Sequence, residues 1–147
     1  MGLGDLIAKA RAEVEAVEPV VLVVEFAGEL VRVSFLPLLG FDWSTLTTTH
    51  PPRVGSTFDR NVGYNVDAVT AAYPRDKITA NGEPVTRQEV GEDGQVVTVD
   101  EWADLVRHLS SPNLKNIATV LWGVNQMEPA KRLADVGKAS AGEAPKK

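Results

Sequence analysis

The chain has 147 residues and a net charge of −5. With 44% apolar and 24% charged residues, it suits one globular domain with a real core rather than a disordered chain. It has no cysteine, which excludes disulfides, zinc–thiolate sites and thiol nucleophiles. No basic stripe marks a nucleic-acid surface, and neither a membrane span nor a secretory signal is expected, because the longest apolar run is only Val20–Val24 and residues 1–18 are charged throughout.

Residues 3–18 read as an amphipathic helix. Leu3, Leu6, Ile7, Ala10, Val14 and Val17 recur at helical spacing, Lys9, Arg11, Glu13 and Glu15 lie opposite, and Pro19 ends the run. The stripe predicts a helix laid on the domain. VVLVVEFAGELVRVSF (20–35) then changes period and is rich in β-branched residues. It predicts a hairpin with strands at about 20–26 and 30–35 around Ala27-Gly28-Glu29; Val31, Val33 and Phe35 share the buried face, with Arg32 and Ser34 on the wet one.

Pro37 and Gly40 break the second strand. Asp42 is expected to cap a short helix reaching Thr49, anchored by Trp43 and Leu46 and ended by Pro51 and Pro52. Asn65–Tyr73 reads as another short helix, closed by Pro74. In KITANGEPV (77–85), Asn81-Gly82 predicts a second, smaller hairpin, since both residues accept positive φ; GEDGQ (91–95) is a further turn.

A helix over 100–110 is capped by Asp100 or Thr98 and buries Trp102, Leu105, Val106 and Leu109. Ser111-Pro112 restarts the chain as N-cap and first residue of a helix over 112–126, which carries Leu114, Ile117, Ala118, Leu121, Trp122 and Val124. Pro129 marks a kink or restart, with helix continuing over 130–136, and GKASAGEAPKK (137–147) has too few apolar residues to pack. The expected fold is α+β: small antiparallel β-hairpins with helices packed on one face, a helical C-terminal half and a disordered C-terminal tail. It forms a single domain over 1–136, followed by a flexible tail over 137–147.

The stretch THPPRVGSTFDRNVGYN (49–65) concentrates polar chemistry. His50, Ser56 and Asp59 are the ingredients of a hydrolytic triad, but no nucleophile elbow surrounds Ser56, and a triad draws its members from separate parts of a fold. Arg53 and Arg60 with Gly55 or Gly63 could cradle an anion, yet neither phosphate-loop pattern is present. His50 and His108 lack metal-ligand spacing, Asp59, Asp67 and Asp76 lack the cadence of a calcium loop, and Glu92 and Asp93 belong to a solvated turn. The stretch therefore reads as a connecting loop, and no catalytic residue, cofactor or metal is expected. The three tryptophans, Trp43, Trp102 and Trp122, suit core packing. Trp122-Gly123 stands apart, because a glycine within a helix costs about 1 kcal/mol relative to alanine and so invites a close approach to the backbone.

Four segments, THPPR (49–53), NVGYN (61–65), YPRDKITANGEPV (73–85) and above all SPNLKNIATVLWGVNQMEPAKRL (111–133), resemble the tail assembly chaperones of long-tailed (siphovirus-type) bacteriophages of actinobacteria. The likeness spans about residues 30 to 140 and is one of overall texture, without a catalytic motif. It implies a small non-enzymatic protein of the host cytoplasm, absent from the mature virion, that binds the tape-measure protein and keeps it soluble until tail-tube protein assembles around it. It also implies a longer form made by ribosomal frameshifting, for which Gly137-Lys138 is the candidate position, and partners that include this longer form, the tail-tube protein and further copies of the chain. For an amphipathic client, Leu114, Ile117, Leu121, Trp122 and Gly123 form the expected protein-binding surface, with Arg53 and Arg60 as contacts to an acidic partner. A structural virion part, such as a head–tail connector or tail terminator, is the alternative.

Overall fold

The computed structural model of the chain describes residues 1–142. The first helix, α1 (Leu3–Ala16), leads into β1 (Val20–Phe26) and β2 (Glu29–Phe35), followed by α2 (Gly40–Thr49), α3 (Thr57–Val62) and α4 (Val66–Ala72). Then come β3 (Ile78–Ala80), β4 (Glu83–Pro84), β5 (Thr86–Val90), β6 (Val96–Asp100), α5 (Glu101–His108), α6 (Ser111–Trp122) and α7 (Glu128–Gly142). The fold is α+β with two antiparallel sheets and a helical C-terminal half. No described helix is long and apolar enough to cross a membrane.

β1 to β4 form a four-stranded sheet in chain order. The first hairpin closes on Ala27 (φ 54°) and Gly28 (φ 81°), the paired positive dihedrals whose twist matches a two-residue turn. Val20 pairs with Phe35 and Val24 with Val31, so alternate residues of both strands face inward. The Asn81-Gly82 turn (φ 51° and 80°) forms the second hairpin as expected, and β3 joins it to β2 through Phe35 opposite Ile78. β5 and β6 form a separate two-stranded ribbon around the 91–95 turn. Sequence patterning showed the turn but not the strands, because the ribbon is exposed on both faces and carries no inward–outward alternation.

The core lies between the inner face of the larger sheet and α4, α5 and α6. Phe35 is its hub, meeting Tyr73 and Trp102 edge-on at centroid distances of 6.0 and 5.7 Å. The buried Trp102 indole donates to Thr70 O at 3.0 Å, which satisfies its one polar atom. Asn65, Asp100 and Ser110 cap α4, α5 and α6, each accepting from a backbone N–H of the first turn. Two expected caps are corrected. Asp42 lies inside the first turn of α2 and makes no cap bond, and the α6 cap is Ser110 rather than Ser111.

The chain does not break at Pro129. Gly123–Met127 forms a π-helical turn, in which Glu128 N–H reaches back five residues to Gly123 O, and α7 follows directly. A proline lacks the N–H of an α-helical bond and its ring crowds the carbonyl four residues before it; the widened turn relieves both problems. α7 continues past Gly137, where the tail was expected to begin, to Gly142; residues 143–147 of that expected tail lie outside the described residues.

Candidate functional site

The 49–65 segment holds itself in place. His50 Nδ1 donates to Leu46 O at 3.0 Å, within its own helix. Ser56 Oγ accepts from Asp59 N at 3.2 Å and caps α3. The Asp59 side chain is inaccessible to solvent and accepts from Arg53 N (3.0 Å), Arg53 Nε (2.8 Å), Arg53 Nη2 (3.0 Å) and Val66 N (3.3 Å). Arg53 Nη1 also reaches Asp67 at 2.8 Å. The three triad-like side chains thus face separate structural partners, and the stretch expected to be one loop contains the helix α3. The Arg53 guanidinium holds the Asp59 carboxyl well below the usual carboxylate range, and Asp59 raises Arg53 in return.

The residues expected to bind a partner fare unevenly. Ile117 and Leu121 are 0% and 1% exposed and belong to the core, so their place on the surface is corrected: the apolar stripe of α6 points at the sheet and α4. At Gly123 a built Cβ meets nothing within 4 Å, so no described residue of the chain itself makes the close approach there. Trp122 is half-buried against the core. Leu114 and Arg53 do come together, on either side of a small concavity of about 300 Å³ that also takes in Lys115, but Arg53 is already engaged by two carboxylates. Arg60 is exposed and makes no ion pair among the described residues.

The uncovered apolar surface lies elsewhere. No residue of α1 is buried, and its stripe of Leu3, Leu6, Ile7, Val14 and Val17 is between 40% and 73% exposed. This corrects the expectation that the stripe packs on the domain. On α7, Leu133 is 74% and Val136 65% exposed. Between the two helices runs a groove of about 460 Å³. Its walls are Val14 of α1 and Val17 just beyond it, Leu36–Leu39 of the connection after β2, and Val124 and Pro129 at the π turn. Arg132 of α7 reaches across toward Glu13 of α1 at 3.9 Å. The periodicity of α1 was visible in the sequence; what failed to cover it was not.

The π turn braces the walls of this groove. Asn125, buried inside it, accepts from Leu38 N at 2.7 Å and donates to Tyr73 Oη and Leu121 O, both at 3.0 Å. Tyr73 Oη in turn donates to Leu36 O at 2.7 Å. Burial pushes the Tyr73 phenol up to about 12, with the Asn125 bond opposing it, so the hydroxyl keeps the proton it donates. Trp43 Nε1 donates to Gln126 Oε1 at 3.0 Å, tying α2 to the same turn. One irregular turn therefore fixes the Leu36–Leu39 wall from two sides. Among the described residues, no group of three or more His, Asp or Glu side chains is placed to hold a metal. No family model, curated protein or solved structure matches this chain.

Proposed function

We propose that this chain is a bacteriophage tail assembly chaperone, which covers apolar helical stripes of the tape-measure protein in the host cytoplasm without covalent chemistry. The observation that carries the reading is the pair of helices α1 and α7, whose exposed apolar stripes have no cover among the described residues and flank a largely apolar groove. A client helix laid there would bury its own stripe against both, in the helix-in-groove mode. An isolated helix as short as α1 is marginal in water, so a partner that buries its stripe also supplies the stability the helix lacks. The resemblance of residues 111–133 to such chaperones supports the same reading, and the net charge of −5 keeps a coated complex dispersed.

Co-expression tests it: soluble tape-measure protein should rise when this chain is present, and the two should co-purify; unchanged client solubility defeats the proposal. One observation favours the alternative, a structural virion part. The β5–β6 ribbon exposes Val90, Val96 and Val97 and leaves one edge of each strand unpaired, as suits a lattice contact. Mass spectrometry of purified particles separates the two, since a structural part is abundant there and a chaperone absent.

A further inference from the structure

A second concavity, of about 520 Å³, lies on a different part of the molecule from the α1–α7 groove. It opens where the turn end of the first hairpin, the Asn81-Gly82 turn and α5 converge. Its apolar lining is Phe26, Val31, Ala80 and Leu105, side chains that pack on the core from below and stay partly open above. Its charged lining is of one sign: Glu83, Glu101 and Asp104, with no lysine or arginine among the lining residues. Glu101 is met by Arg87 at 3.0 Å, whereas Glu83 and Asp104 have no ion-pair partner among the described residues. His108 completes the rim, its Nδ1 donating to Asp104 O at 2.7 Å.

The geometry points to a second protein-binding site here, for a partner segment that carries a lysine or arginine beside an apolar anchor. The anchor would enter between Phe26, Val31 and Leu105, and the cation would lie between Glu83 and Asp104. An apolar floor alone would accept any hydrophobic side chain; the two unpaired carboxylates make the cleft selective, because an acidic neighbour to the anchor would be repelled. This site is independent of the chaperone reading and shares no residue with the α1–α7 groove.

The test uses the full chain, isotope-labelled, titrated with two synthetic peptides of equal length, one of leucine and lysine and one of leucine and glutamate. The basic peptide should shift the amide signals of Phe26, Val31, Leu105 and His108. Glu83→Gln with Asp104→Asn should weaken it by about tenfold, the scale of two partly exposed ion pairs. Asp76→Asn with Glu92→Gln, which removes the same charge at exposed sites that line neither concavity, should leave binding unchanged. Equal binding of the acidic peptide, equal weakening by this control pair, or shifts confined to the α1–α7 groove would each overturn the proposal. Failure here leaves the chaperone reading standing, because that reading is tested by client solubility.

Discussion

Asp59 shows how a residue with catalytic chemistry becomes structural. Its carboxylate spends its acceptor positions on Arg53 and on the first N–H of α4, so it joins α3 to α4 and leaves no face for a substrate. Asp59→Asn keeps the shape but loses the charge, and should lower stability by about 2 kcal/mol, a modest figure because Arg53 is half exposed to solvent. The sign of the pH dependence follows. Asp59 and Asp100 both titrate lower in the folded protein than a free carboxylate, Asp59 because of Arg53 and Asp100 because of Arg75. Their stabilisation is complete above the unfolded value of about 3.9 and is lost as pH falls from there toward the folded values. Melting curves between pH 5 and pH 3, on the order of the carboxylate range, should show a falling midpoint, with a shallower slope in Asp59→Asn.

Asn125 and Gly123 make a contrasting pair in one turn. Asn125→Ala leaves Leu38 N–H without its acceptor and should cost about 3 kcal/mol, read by chemical denaturation. Gly123 has helical dihedrals and open space around it, so Gly123→Ala should gain about 0.5–1 kcal/mol by restricting the unfolded chain. A loss of stability in Gly123→Ala would contradict the open space seen around this residue.

Among the elements, hairpins were the most legible. Gly28 and Asn81-Gly82 stand at the turns expected of them, with Ala27 carried into a positive φ that alanine does not favour, and Asp100 caps the helix it precedes, whereas the caps expected at Asp42 and Ser111 fall elsewhere. These features are local, and local chemistry decides them. The exposed ribbon was illegible because no burial imprints a pattern on it. The π turn was illegible because it answers a conflict between Pro129 and a helix held on both sides. Ile117 and Leu121 were expected at the surface for a related reason: periodicity shows that a helix is amphipathic but not what covers it, and the stripes of α1 and α6 look alike on paper. Mutation separates them. Ile117→Ala should cost about 2–5 kcal/mol, as for other emptied core sites. Leu6→Ser with Ile7→Ser, at sites already exposed to water, should change stability by about 0.5 kcal/mol or less while weakening client capture.

For the whole molecule, the exposed apolar stripes of α1 and α7 are set apart from the core. The core draws on the sheet, α4, α5, α6 and Trp43 of α2, whereas among the described residues α1 and α7 contribute no buried side chain to it. Such a division lets binding and folding be altered separately, which a surface built on α6 would not allow. It also explains why the candidate site was only partly readable: Arg53 and Leu114 do meet, but the two exposed helical stripes lie at the two ends of the described chain. The decisive measurement is the amount of soluble tape-measure protein on co-expression with the native chain and with a variant carrying Leu6→Ser, Ile7→Ser, Leu133→Ser and Val136→Ser, both checked to melt alike. The stripes of α1 and α7 predict soluble client with the native chain and aggregated client with the variant. Equal rescue by the two would contradict that prediction and remove α1 and α7 from the binding surface.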